Sequence, residues 1–565
     1  MINLIGILIT LCLLSTLFVL TGRVILVIAN IKNKTTIPLI VSCTYFLGMA
    51  VFLAIWRTFS LITDNALLSL GVTLMIAVAM IFFNWKQTCQ SFFFDFFELI
   101  KSKWYLLFSI SIFFFVGLYW IGSFNELNPF TIIGSLHSPR YANFATYVVE
   151  FNRVPVLGQN YGQSMLASIP MFLGFNSPLL ALNFWLSITM INFSLLIYSL
   201  CLYLNCSAKF STLATFLVLF GNTAISFFHI LSIDSGSPFI LNGYTDSIAS
   251  IGTFIVVLFF LKDTLANDSS FRDSIKEIVL IFSVSVFWNI AAPQDSMFFG
   301  FLIGLVLIFS FKNNIKATFK IFMLFLVFSC VGIFQGGMYT PSKFKESIVL
   351  PGMMEIGSGG IAINPGVPFF VGIGGAWEYG NKNVITQVSD VKKQITSSPK
   401  LSLVVSKILI IEQLVTNSLK VVFWPMLGII GLILIIKTNT IKNGNLFSKQ
   451  LALDYNKLIF VAFFVFFIGL IFNLFFSISG YKWELSRFLI LGYFLGMICL
   501  VLCLNFLFES RILSKWSLYF LMVLITIGPI VNSFAVIFVN IFYTNNRISF
   551  LEKINILINT SGMIK

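Results

Sequence analysis

Ionisable residues are scarce in this 565-residue chain, of which only 10% is Asp, Glu, Lys or Arg, so those lying outside short basic loops stand out. Four have the type to move protons: Glu126, His137, Asp234 and Asp246. A carboxylate or imidazole held beside an incoming hydroxyl serves as its general base. A second set has the type to hold a polar substrate: Arg140 with Tyr141, Asp295, and Lys482, Glu484 and Arg487 in GYKWELSRFL. Arginine grips a phosphate as a bidentate fork and lysine as a point charge. A base next to phosphate-holding cations suits transfer of a group from a phosphate carrier to a hydroxyl.

Each residue also has a plainer role. Asp246 after Thr245, and Asp295 after Pro293, stand where helices are expected to start, and a carboxylate there caps the first turn and meets the helix dipole. Arg487 opens an apolar run and can snorkel to a membrane interface. Glu126 reads as a solvated loop residue and His137 as a polar loop residue. What lifts the set above these roles is that all its members fall on one side of a membrane.

That placement follows from the rest of the chain. It is 58% hydrophobic with mean hydropathy +0.97, whereas about a quarter of a soluble domain is charged. Apolar runs near 3–29, 37–56, 67–84, 104–122, 177–205, 210–229, 246–262, 277–292, 295–311, 318–337, 418–436, 458–478, 487–508 and 516–543 predict about fourteen transmembrane helices. The fold class is therefore all-α and polytopic, and the short alternating segments of a β-barrel are missing. The stretch MINLIGILITLCLLSTLFVLTGR lacks a basic n-region and a small-residue cleavage site, and is expected to remain as the first span.

Basic residues collect at 31–34, Lys86, Lys101, Lys103, Lys209, Lys262, Arg272, Lys276, Lys312, Lys316, Lys320, Lys437, Lys442, Lys449, Lys457, Arg511 and Lys515. With the spans above, all these loops lie on one side, which the positive-inside bias makes cytoplasmic. The same bias accounts for the net charge of +14. The basic residues form no dense patch with interleaved aromatics, so nucleic acid is excluded as a partner. The eight cysteines lie mostly within apolar runs and form no ligand cluster, and with two histidines a structural metal site is not expected.

The extracytoplasmic segments are then 123–176, 230–245, 293–294, 338–417 and 479–486. In the first, Ser138-Pro139 reads as an N-cap with proline at the first helical position. Tyr141, Phe144, Ala145, Val148 and Phe151 follow at helical spacing, and Asn152-Arg153-Val154-Pro155 ends the run. This predicts an interfacial helix over 139–152 with its apolar face on lipid. The glycine-rich loop 338–417 is too long for a connector and too apolar for a disordered linker; it is expected to form an ordered lid, with short helices near 386–396 and 401–416. The chain divides into a four-helix membrane module (1–122), a membrane core with the first outer loop (123–337), the large loop (338–417) and C-terminal spans (418–565).

The run HSPRYANFATYVVEFNRVPVLGQNYGQSMLASIPMFLGFNSPLLALNFW resembles the first extracytoplasmic loop of GT-C class glycosyltransferases. NGYTDSIASIGTFIVVLFFLK is similar to a later span of that class whose start carries a polar or acidic residue, and ELSRFLILGYFLG to a late span opening with arginine. The resemblance runs in order over roughly residues 100–510, through short motifs. It implies a GT-C-like fold in the bacterial plasma membrane and a lipid-linked sugar donor, with membrane lipids as surroundings. The implied activity is transfer of a sugar from polyprenyl phosphate to an extracytoplasmic glycan or lipid of the cell envelope, as in polysaccharide biosynthesis. Donor phosphate would lie near Arg140, Lys482 and Arg487, and the acceptor near Asp234, Asp246 or Glu126. One departure is plain: the family places an acid just before the interfacial helix, where this chain has Ser135-Leu136-His137-Ser138-Pro139. His137, Glu126, Asp234 or Asp246 then supplies the base, or the chemistry is lost and the protein is an inactive GT-C-like scaffold. The outer aspartates leave Mg2+ or Mn2+ open as a cofactor. A transporter or flippase of lipid-linked saccharides is the competing reading and requires broken helices, midplane charges and repeat symmetry. A polymerase or ligase of envelope polymers would call for arginines in the large loop, which has none.

Overall fold

The computed structural model describes residues 2–28, 37–86, 88, 138–156, 161–220, 245–261, 271–291, 299–300, 302–306, 315–336, 343, 361–363, 424–438, 449–478, 487–512 and 514–527, and these are almost wholly helical. The first three helices are α1 (Ile2–Ile28), α2 (Ile37–Thr63) and α3 (Ala66–Phe83). The segment before the next long helix contributes α4 (Ser138–Glu150) and α5 (Gly162–Phe172). Next come α6 (Pro178–Tyr203), α7 (Ala208–Phe220) and α8 (Thr245–Val256), the last running into a π-helical turn at Val257–Leu261. They are followed by α9 (Phe271–Ala291), α10 (Ile315–Gln335), α11 (Trp424–Thr438), α12 (Lys449–Phe475), α13 (Arg487–Glu509) and α14 (Lys515–Ile527).

Five of these helices contain stretches long and apolar enough to cross a membrane: Ile5–Val27, Ser42–Thr63, Ala66–Phe83, Leu451–Ile468 and Leu491–Glu509. Their outer faces carry large bare side chains such as Leu13, Met75, Phe82, Phe83 and Phe467. Such a surface favours lipid over water. The expected spans 104–122 and the C-terminal half of 516–543 lie outside the described residues, as do the expected loop helices near 386–396 and 401–416.

The centre of the bundle is α2, which packs against α1, α3, α6, α8, α9 and α10. Its run from Ser42 to Ala54 is buried on every side. Close approach to α1 is possible because Gly22 and Gly48 carry no side chain: a Cβ on Gly48 would stand 2.6 Å from the Phe18 carbonyl carbon and 2.9 Å from the Gly22 nitrogen. Small residues at such crossings let helix backbones touch, a common way of joining helices in lipid. Phe18 then inserts among Tyr45, Phe52 and Trp185, at centroid distances of 6.1, 5.2 and 5.6 Å. One hydrophobic core runs from Ile7 to Ile525, so α1–α3 share their packing with the later helices.

Two short strands, β1 (Ile361–Ile363) and β2 (Phe476–Ile478), pair antiparallel with Ala362 opposite Ser477. The first lies in the large loop and the second at the end of α12.

The helix expected over 139–152 is present as α4, but its setting differs from the expectation. Tyr141 to Thr146 are buried on all sides, and α4 packs on α5 and α6. Tyr141, Phe144, Ala145 and Val148 of its apolar face therefore meet protein, not lipid, while Phe151 just beyond the helix is exposed. The sequence period was read correctly, but period alone cannot say which apolar partner covers the face.

Candidate functional site

Besides Tyr45–Thr189 and Asn289–Ser329 within the bundle, the described polar contacts between distant segments form two clusters. In the first lies Arg57, one of only two charged residues between Lys34 and Lys86. It sits in α2 and is fully buried. Its Nε donates to the carbonyl of Gln335, the last residue of α10, at 2.6 Å, and Nη1 donates to the carbonyl of Val154 at 2.8 Å. The guanidinium carbon stands 5.3 Å from the centroid of the Tyr161 ring, a cation–π distance. Tyr161 donates its hydroxyl to the same Gln335 carbonyl at 2.8 Å and its backbone N–H to Ile290 O at 2.9 Å. Carbonyls at the ends of α9 and α10, which a helix leaves without internal partners, are thus taken up by Tyr161 and Arg57. Gly336 follows with φ +133, and a Cβ there would lie 2.9 Å from Tyr161 Cε1. The chain enters the large loop through a residue that must be glycine.

Asn152, with φ 49, holds the exit of α4 against the turn between α2 and α3. Its backbone carbonyl accepts from Ala66 N at 2.7 Å and its side-chain Oδ1 from Leu67 N at 2.8 Å. Asn65 caps the same helix by accepting from Leu68 N. Arg153 pairs with Asp64, but Asp64 is exposed and Arg153 partly so, and such a pair adds little stability.

In the second cluster, Asp454 and Lys457 form an ion pair at 3.1 Å with each side chain only 1% exposed, and Tyr203 donates to Asp454 Oδ2 at 3.1 Å. Tyr455 donates to Leu204 O and Ser207 N to Asn505 Oδ1. Burial pushes the Cys206 thiol up to about 12, with the Glu509 carboxylate adding to the rise and bonds involving Ser211 and Ser207 opposing it. Glu277 meets Lys320 at 3.5 Å.

Of the residues singled out from sequence, Arg140, Asp246 and Arg487 are the third, second and first residues of α4, α8 and α13. Asp246 thus belongs to a first helical turn, the position expected from the sequence. Tyr141 is buried within the core. Glu126, His137, Asp234, Asp295, Lys482 and Glu484 lie outside the described residues. Strand β2 ends four residues before Lys482 in the chain, and the large loop's β1 pairs with it. Among the described residues no group of three or more His, Cys, Asp or Glu is arranged to hold a metal ion.

Sequence reasoning missed Arg57, Tyr161 and Gln335. The available signal was an arginine inside the run LAIWRTFSLIT, at a span end where the charge bias disfavours one. Ending the span at residue 56 hid it, because the helix continues to Thr63.

No family profile, curated protein or solved structure matches this chain.

Proposed function

We propose that the chain is a GT-C-like membrane glycosyltransferase with about fourteen spans. It moves a sugar from a polyprenyl-phosphate donor to an extracytoplasmic glycan or lipid of a bacterial envelope. The observation that carries this reading is the double anchoring of the large loop. Its start is tied to the first outer loop through Gln335 O, which accepts from both Arg57 and Tyr161. Further on, β1 is tied to β2, the strand that precedes Lys482, Glu484 and Arg487 in the chain. In this reading the large loop serves as a lid, and a covered site excludes water from a reactive donor and strengthens every charge inside it.

In this reading Arg140, Lys482 and Arg487 hold the donor phosphate, and Tyr141, Asp295 and Glu484 contribute to substrate binding. Asp234, Asp246, Glu126 or His137 takes the proton of the acceptor hydroxyl. The test is transfer of radiolabelled sugar from polyprenyl-phosphate donors in proteoliposomes, with Asp234→Asn, Asp246→Asn, Glu126→Gln and His137→Gln beside the unaltered protein. Removing the general base should cost about 10²-fold or more in rate. Transfer unchanged in all four variants removes the proposed base. No transfer from any donor, together with movement of a lipid-linked saccharide across the vesicle membrane, replaces the transferase with a transporter.

A further inference from the structure

The start of α5 has the features of an oxyanion site. A helix leaves its first N–H groups without internal acceptors, and these groups point outward with the positive end of the dipole. The usual remedy is a side-chain cap from Ser, Thr, Asp or Asn. Here the capping position is Tyr161, which makes no side-chain cap bond. The first amide with a helical partner is Met165 N, which reaches Tyr161 O at 3.0 Å. The amides of Gly162, Gln163 and Ser164 precede it, and among the described residues no acceptor meets them. All three residues are buried, so bulk water does not satisfy them as it does at an exposed helix end.

Two side chains make the same point independently. Ser164 is fully buried and Gln163 is 6% exposed, and neither Ser164 Oγ nor Gln163 Oε1 has a hydrogen-bond partner. Buried polar atoms are rarely left this way, and each calls for an explanation such as a bound ion or molecule. The contrast with Ser168, one turn later, is direct: its hydroxyl returns to Met165 O at 2.7 Å. Ser164 stands in the first turn and has no earlier turn of this helix to return to. First-turn side chains lean toward the helix start, so the hydroxyl and the carboxamide belong to the same end as the open amides. The carboxamide carries two N–H donors on the same carbon as Oε1 and presents them by a half-turn of its last torsion. The Arg57 guanidinium adds positive charge on the Tyr161 ring at this same end. Backbone amides, hydroxyl and amide donors and a nearby guanidinium are the groups that bind phosphate.

We propose that the N-terminus of α5, through the amides of Gly162, Gln163 and Ser164 and the side chains of Gln163 and Ser164, binds a phosphate group carried on a lipid. The anion follows from the geometry alone. The lipid carrier rests on the transferase reading and deepens it by naming where the donor phosphate sits. The Ile290 carbonyl beside Gly162 is engaged by the Tyr161 N–H, and the neighbouring Leu53, Met165 and Leu166 side chains agree with a headgroup whose tail stays in hydrocarbon.

The test is equilibrium binding to the full chain in detergent, using farnesyl phosphate, farnesol and inorganic phosphate as probes. Farnesyl phosphate should bind at least about 10-fold more tightly than farnesol, and Ser164→Ala should erase about that factor while leaving farnesol unchanged. Ser164→Asp, which supplies an anion of its own, should abolish the advantage of the phosphate. Gln163→Leu serves as a second variant if Ser164→Asp does not fold, with unchanged farnesol binding as the control for an intact protein. Inorganic phosphate binding as tightly as farnesyl phosphate keeps the anion site and removes the lipid. A preference for farnesyl phosphate that is the same in unaltered protein, Ser164→Ala and Gln163→Leu overturns the site. Because no sugar is present, failure of sugar transfer with binding intact removes the transferase alone.

Discussion

The contact between α1 and α2 offers a sharp test, because two glycines in neighbouring helices should respond to the same substitution with opposite sign. A Cβ placed on Gly48 would stand 2.6 Å from the Phe18 carbonyl carbon, whereas ordinary contact begins at 3.4 Å. The difference of these distances is 0.8 Å, and because the neighbour is backbone, only separation of the helices can supply it. A gap of about 0.5–1 Å forfeits a quarter to a half of each van der Waals well along the seam. Overpacking of this kind costs about 1–3 kcal/mol. Against it stands the helix preference of alanine over glycine, about 1 kcal/mol. Gly48→Ala should therefore destabilise the protein by up to about 2 kcal/mol, as Phe18 is drawn away from Tyr45, Phe52 and Trp185. Gly71 in α3 has nothing within 4 Å of its added Cβ. Gly71→Ala should gain about 0.5–1 kcal/mol from propensity alone. Both values can be read from reversible unfolding in mixed micelles of rising SDS fraction, followed by tryptophan emission. A Gly48→Ala protein as stable as Gly71→Ala would refute the close backbone contact.

Tyr161→Phe removes one of two donors to Gln335 O while Arg57 Nε keeps the other, so the loss should be modest, about 1 kcal/mol; Gly336→Ala at φ +133 should cost more and increase protease cutting in 338–417. Replacing Asp454 by Asn or Lys457 by Met alone strands a buried charge and should destabilise by about 3–5 kcal/mol, whereas the double variant Asp454→Asn/Lys457→Met should recover much of it, as a double-mutant cycle would measure. The Cys206 thiol, raised from 9.0 to about 12, should resist maleimide at pH 8 in folded protein and react in SDS. Its folded pKa lies above the unfolded one, so its contribution to stability is whole below pH 9.0 and is lost as pH rises toward 12. Rapid labelling at pH 8 without denaturant would contradict the burial.

Much of the architecture was legible in the sequence because lipid imposes simple rules on it. A run of hydrocarbon side chains has to be a helix to satisfy its own backbone, and α1, α3, α6 and α13 begin and end within a few residues of the apolar runs that mark them. The start of α4 at Ser138-Pro139 was equally local, since capping depends on neighbours in the chain. Two expectations went astray where the answer depended on distant residues. Apolarity ended the second span at residue 56, although Arg57 is accommodated by Val154 and Gln335. Periodicity laid α4 on lipid, although α5 and α6 cover it.

By itself, then, the sequence determined that the chain is helical, apolar enough to cross a membrane several times, and polar mainly where its helices end. Tertiary structure alone decided that Arg57, Tyr161 and Gln335 form one junction, that β1 meets β2, and that the first turn of α5 is buried without a cap. The physical reason is range. Hydropathy, helix period and caps act over a few residues and leave their mark in local order. A buried guanidinium needs carbonyls from wherever the chain returns, and no local pattern records a partner 97 or 278 residues away.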